Sequence, residues 1–195
     1  MKIEKACDQA KRDGHTWVWI DTCCIDKESS ADLSEVVNSM YRWYADATVC
    51  YVYLADVTIE SHRRGDIHKL PQDVDYLRLK FAAGRWFTRG WTLQESIAPK
   101  EVRFYDSEWF FITTKTQSTA ALAKVSGIDE IVLRRSYQAK HFSVATRFSW
   151  AAKRQTTRVE DEAYSLVGLF DVNMPMIYGE GQKAFIRLQE EIIKT

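Results

Sequence analysis

The sequence predicts an α/β fold, a parallel sheet flanked by helices, followed by a mostly helical C-terminal part. Three observations carry this prediction. TWVWID (16–21) and TVCYVYL (48–54) are short, almost wholly apolar runs of β-branched and aromatic residues, the pattern of strands buried on both faces. Between them lies an amphipathic stretch, so strand, helix and strand follow within about forty residues, as in a right-handed βαβ unit. From residue 116 onward the apolar spacing is helical almost throughout.

Taken in order, Ile3, Ala6, Cys7 and Ala10 recur at helical spacing and stop at Gly14, a residue suited to a left-handed helix stop. TWVWID is the first predicted strand, and the polar CCIDKESSA after it is a loop. Asp32 and Glu35 read as a variant capping box, and Leu33, Val36, Val37, Met40 and Tyr44 form one apolar face of a helix to about Ala47. TVCYVYL is the second strand. From Ala55 to about Pro71 the chain turns charged, with SHRRGD at its centre, and reads as an exposed, weakly ordered connection. VDYLRLKFAAG (74–84) reads as a helix. EVRFYD (101–106) and WFFITT (109–114), joined by a short polar turn, read as two more strands. Helical patterns then cover 116–126, 142–153, 159–169 and 181–194, and no internal repeat or low-complexity tract appears.

Composition excludes several classes. Lysine plus arginine equals aspartate plus glutamate, 27 each, so no overall field draws in nucleic acid or an anionic membrane. No apolar run approaches the ~20 residues of a membrane span. The charged N-terminus lacks a secretory pattern, and an intracellular, cytoplasmic setting is expected. Cys7, Cys23, Cys24 and Cys50 contain no C-x-x-C pair and have no histidine at a zinc-ligand spacing, so they read as reduced thiols and no metal site is expected. His15, His62, His68 and His141 are scattered and read as surface residues.

The stretch RWFTRGWTLQES (85–96) is where chemistry concentrates. On a helix, Trp91 and Glu95 lie one above the other, presenting an indole beside a carboxylate. Ligands of parallel α/β sheets bind outside the carboxyl ends of the strands, where the loop after TWVWID would bring Asp21, Asp26 and Lys27. The competing reading is a packed tryptophan and a solvated glutamate, and spacing alone leaves both open. Glu160, Asp161 and Glu162 in RVEDEAYSLVGLF read as acids opposing a helix dipole, with Arg158 as a partner. MPMIYGEGQKAF reads as a turn into a final amphipathic helix on which Ala184, Ile186, Leu188, Ile192 and Ile193 seek apolar cover.

Three blocks, WVWIDTCCIDKESSADLSEVVNSMYRWYADATVCYVYLADV, RWFTRGWTLQESIAPKEVRFYD and RVEDEAYSLVGLFDVNMPMIYGEGQKAFIRLQEEI, resemble in order those of the fungal heterokaryon-incompatibility (HET) domain. The resemblance spans nearly the whole chain. It implies residues 1–115 as an α/β core and 116–195 as the helical part of the same domain, and a role in fungal non-self recognition and programmed cell death. RGWTLQES is also similar to the W-C-x-x-E-L segment of Toll/interleukin-1 receptor (TIR) domains, which implies a TIR-like, flavodoxin-like sheet. TIR domains that cleave NAD use this glutamate, so the likeness implies Glu95 as the catalytic carboxylate. Trp91, Asp21, Asp26, Lys27 and Arg89 are then the expected substrate-binding residues, NAD is a substrate and not a cofactor, and no further cofactor is implied. Self-association without turnover, as a signalling or scaffold domain, is the alternative role, and a truncated inactive remnant is a third. Ser96 departs from the usual leucine, and the family's opening strand, near a segment like YAILSHTWG, is expected to be missing, which leaves a sheet edge exposed.

Overall fold

The computed structural model describes residues 2–26, 28–60 and 73–195. The predicted connection around SHRRGD, with His62 and His68, and the candidate Lys27 lie outside the described residues. The chain is α/β, with a three-stranded mixed sheet among many short helices.

Helix α1 (Lys2–Arg12) ends at Gly14, whose φ of 82° is left-handed, as its position in the sequence suggested. Just before that stop, Asp13 accepts hydrogen bonds from Tyr51 Oη (2.5 Å) and Arg103 Nη1 (2.9 Å). Those two residues are register partners on neighbouring strands, so one carboxylate ties the helix end to the sheet. Helix α2 (Ser30–Asp46) is capped by Ser29, whose Oγ accepts from the Asp32 N–H, rather than by Asp32 itself. Val36, Val37 and Met40 form its buried face.

Strand β1 (Cys50–Tyr53) runs parallel to β2 (Val102–Tyr105), and β2 runs antiparallel to β3 (Phe111–Thr114). The sheet is therefore not wholly parallel. The turn between β2 and β3 is built on Asp106, whose Oδ1 accepts from the N–H groups of Glu108 and Phe110 while Oδ2 accepts from that of Ile59. This tight return forces β3 to be antiparallel. The crossover joining the parallel pair includes α3 (Val74–Ala83), a 3-10 turn (Arg85–Thr88) and α4 (Thr92–Ile97).

The larger correction concerns TWVWID. It carries no ladder, and Trp17 is 91% exposed. Trp19 instead packs edge-on against Trp43 and Tyr44 of α2, at 5.5 and 5.9 Å between ring centroids. The N–H groups of Cys23 and Cys24 both bond the Ile20 carbonyl, turning the chain at once. A hollow, described below, lies between this segment and β1, so the backbones do not come within ladder distance. The βαβ unit expected from residues 16–54 is consequently not formed.

After the sheet come α5 (Thr119–Ser126), α6 (Glu130–Arg134), a 3-10 turn (Ser136–His141), α7 (Val144–Ser149), α8 (Asp161–Tyr164), α9 (Val167–Phe170) and α10 (Lys183–Lys194). The single helix expected over 159–169 is broken in two, and the 142–153 pattern gives only a short helix followed by a turn. One apolar cluster runs through both halves of the chain, from Val52, Phe81 and Phe104 to Tyr164 and Leu188. Phe81 stacks at 5.1 Å on Phe87 and 5.2 Å on Phe104, fixing the crossover against β2. On α10, Ala184 and Leu188 are fully buried, but Ile186 and Ile193 remain exposed, against the expectation that all its apolar residues find cover. Among the described residues, no helix is long and apolar enough to cross a membrane.

Candidate functional site

Helix α4 has only six residues, so its ends depend on outside groups. At its start, Thr92 Oγ1 donates to the carbonyls of Trp86 and Arg89. The same oxygen accepts from Arg154 Nη1 (2.8 Å), which also donates to the Arg89 carbonyl (3.0 Å). At its end, Lys115 Nζ reaches the carbonyls of Ser96, Ile97 and Pro99. Burial lowers the Lys115 ammonium to about 8. Ser96 is buried and donates back to the Thr92 carbonyl at 2.7 Å, so the small residue at the position of an expected leucine is accommodated inside the helix.

This frame holds Glu95 where two hollows meet. The first, about 730 Å³, is bounded by the 15–22 segment, α1, Trp43 and Tyr44 of α2, and strand β1. The second, about 830 Å³, is lined by Trp91, Arg85, Arg89, Arg158, Asp161 and Tyr178, among others. Glu95, Asp21, Tyr44, Tyr53, Trp86 and Arg89 line both. Tyr53 ends β1, so the cleft opens at the carboxyl end of a strand of the parallel pair.

The carboxylate accepts a hydrogen bond from Trp86 Nε1 at 3.0 Å. Burial raises the Glu95 carboxyl above the ordinary range and the nearby Asp21 adds to this; the Trp86 N–H, Arg89 and Lys2 oppose it. No arginine forms a salt bridge with Glu95 among the described residues. Tyr44 lies beside it and is held neutral, its phenol pushed well up by burial and then by the charge of Glu95.

Of the residues expected from sequence, Glu95, Trp91, Asp21 and Arg89 all line the second hollow. Trp91 and Glu95 share it, but the indole that bonds Glu95 belongs to Trp86. Asp26 lines neither hollow; its Oδ1 accepts from the Glu28 N–H and its own N–H donates to Asp32, which shapes the entry to α2.

The C-terminal block contributes more than sequence suggested. A short parallel bridge joins Arg89 and Gln155: the Gly90 N–H donates to the Gln155 carbonyl (2.9 Å) and the Gln155 N–H to the Thr88 carbonyl (2.6 Å). At Gly90 an added Cβ would stand 2.5 Å from Thr156 Cγ2, so this contact requires glycine. Beyond the bridge, Arg158 lies over the Tyr178 ring at 4.4 Å, and Tyr178 Oη donates to Asp161 Oδ1 at 2.9 Å. Burial raises the Asp161 carboxyl, and hydrogen bonds from Tyr178 and Trp91 oppose the rise. Asp161 and Glu162 do occupy the first turn of α8 as expected. Glu160 has a different use: its Oε1 accepts the N–H groups of Gly179 (2.8 Å) and Gly181 (3.0 Å), pinning the YGEG turn. Arg158 forms no salt bridge with these acids among the described residues. The acid-rich pattern hid all this because a helix start and a cleft wall demand the same residues.

Residues 1–95 match the family described as heterokaryon incompatibility protein (HET). Over 194 residues, 99% of the chain, the sequence is 48% identical to the vegetative incompatibility protein HET-E-1 of Podospora anserina. The chain spans 14% of that relative's length. No solved structure matches it.

Proposed function

Since this chain belongs to the heterokaryon incompatibility (HET) domain family, we propose that it acts in fungal non-self recognition and programmed cell death as a TIR-like domain that hydrolyses NAD, with Glu95 as the reacting carboxylate. The observation that carries the reading is the position of Glu95, half-buried at the junction of two hollows and held by an indole N–H rather than by a salt bridge. Its setting is the cytoplasm, in keeping with four free thiols.

The chemistry asks little of the protein. The ribose C1′–N bond breaks with its electron pair on the nicotinamide nitrogen, which leaves neutral. Positive charge develops on the ribose ring, water adds at C1′, and its proton is lost, giving ADP-ribose. A carboxylate in a poorly solvated site interacts with that charge more strongly than one in water. The leaving group departs without protonation, so one carboxylate suffices where glycoside hydrolysis uses two. Because burial raises the Glu95 carboxyl, the ionised form is lost at a higher pH than for an ordinary glutamate, and activity should fall there. Incubation of concentrated protein with NAD should release nicotinamide and ADP-ribose in equal amounts, and Glu95→Ala should abolish release without unfolding the chain. Release retained in that variant excludes the mechanism.

The free edge of β1 favours a second reading, self-association without turnover. The N–H groups of Cys50 and Leu54 bond toward β2, so by strand alternation Tyr51 and Tyr53 turn their backbone groups to the other edge, which has no ladder among the described residues. Concentration-dependent assembly with NAD left intact would favour this role.

A further inference from the structure

The second hollow holds charges from several distant parts of the chain, and several are already satisfied. Arg85 Nε pairs with Asp56 at 3.2 Å, Asp161 accepts from Tyr178, and Glu95 accepts from Trp86. Arg89 and Arg158 differ: each lines the hollow, each is exposed, and neither guanidinium has a carboxylate partner among the described residues. The bridge between residues 88–90 and 155 fixes the backbone that carries both. Arg158 is held further by the Tyr178 ring and by a Thr156 hydroxyl that donates to its carbonyl at 2.6 Å.

Two planar forks facing one hollow, neither in a salt bridge among the described residues, suit a pyrophosphate, whose two phosphoryl groups can each take a pair of parallel N–H bonds. The remaining carboxylate there, Asp21, accepts from the Thr22 hydroxyl and faces the Glu95 side, where both hollows meet. Arg89 thus stands beside the reacting carboxylate, at the junction of the hollows, while Arg158 lies deeper in the second. A dinucleotide can follow that line, with a ribose at one end and a pyrophosphate in the middle.

We propose that Arg89 and Arg158 form a pyrophosphate subsite in the second hollow, which seats an ADP-bearing dinucleotide with its reactive ribose at Glu95. This deepens the NAD reading and rests on it for the ribose placement only. The C-terminal block is thereby part of the ligand site and not just a prop for the core.

The test is titration calorimetry using ADP-ribose and inorganic pyrophosphate as probes, neither of which carries a nicotinamide for the protein to release. Both should bind, and Arg89→Leu or Arg158→Leu should weaken each by about tenfold or more, the worth of a lost charge-assisted hydrogen bond. Arg158→Lys, which keeps the charge and stacking stem but not the fork, should fall between. Unfolding temperatures matched to the parent confirm that the variants are folded. Affinities unchanged in both leucine variants, or no binding of either probe at millimolar concentration, overturn the subsite. Intact, arginine-dependent binding without nicotinamide release from the parent protein upholds the subsite and removes hydrolysis alone.

Discussion

The indole Nε1 of Trp86 donates to Glu95 Oε2 at 3.0 Å, across nine residues and from a 3-10 turn to the helix that follows it. This bond favours the ionised carboxylate, while burial and Asp21 disfavour it. Trp86→Phe keeps the packing of the ring against Phe87 and Phe104 but removes the donor. The Glu95 carboxyl should then titrate at still higher pH. The acid limb of nicotinamide release should move upward, and a limb unchanged in Trp86→Phe would show that the bond does not tune the carboxylate.

Glu95 also makes a stability prediction. Its folded-state carboxyl lies above its unfolded value, so the native chain holds its proton longer than the unfolded one and stability falls as pH rises through that interval. Glu95→Gln removes the penalty. The variant should melt higher than the parent at neutral pH, and the two should converge below the ordinary carboxylate range. Equal melting temperatures at neutral pH would mean that the carboxylate is not desolvated.

Lys115 gives the opposite slope. Burial holds its ammonium near 8, against 10.5 in the open chain, so the penalty for folding it charged is complete below pH 8 and is relieved above it. The gap corresponds to about 3 kcal/mol over the whole interval. The stability of the parent relative to Lys115→Met should rise between pH 8 and 10, a difference from which the opposing ionisation of Cys50 and the tyrosines in the unfolded chain cancels. Denaturant titrations of both proteins at three pH values measure that difference, and a constant difference would show that Lys115 is not desolvated.

Arg154 is a mechanical prediction. Its guanidinium joins Thr92 Oγ1 and the carbonyls of Arg89 and Trp150, and Nη2 is buried with no hydrogen-bond partner among the described residues. Burial lowers it to about 10 and the charge of Glu95 partly offsets this. Arg154→Met leaves the Thr92 hydroxyl unclamped at the start of α4, so nicotinamide release should drop and its acid limb should shift upward, with Arg154→Lys restoring the pH profile in part. A lower melting temperature with an unchanged profile would confine Arg154 to a structural role.

At Gly168, an added Cβ would fall 2.2 Å from Tyr41 Cβ, where α9 crosses α2. Gly168→Ala should destabilise by roughly 1–3 kcal/mol through overpacking. Thermal unfolding checks this, and a neutral result would show that the two helices separate readily.

Much of the frame was legible because local rules and tertiary packing agree there. Gly14 stops α1, VDYLRLKFAA is a helix, and EVRFYD and WFFITT are strands for the reasons their patterns announce. TWVWID misled because an apolar run reports burial preference and not the presence of a neighbour to pair with; Trp19 met that preference on α2. The site was half legible. Spacing brought Trp91 and Glu95 into one cleft, yet it could not tell which of two nearby indoles faces the carboxylate. Arg158, Asp161 and Tyr178 join the site through long-range contacts such as the bridge at Arg89 and Gln155, between segments 66 residues apart, which periodicity does not encode.

The most direct measurement is the initial rate of nicotinamide release from NAD by the parent protein and by Glu95→Gln, compared at a pH where both are folded. The account predicts release by the parent and a loss of about a hundredfold or more in the variant, the scale expected when a charge aimed at the transition state is removed. Equal rates in the two proteins, or no release by folded parent at any concentration, would contradict it.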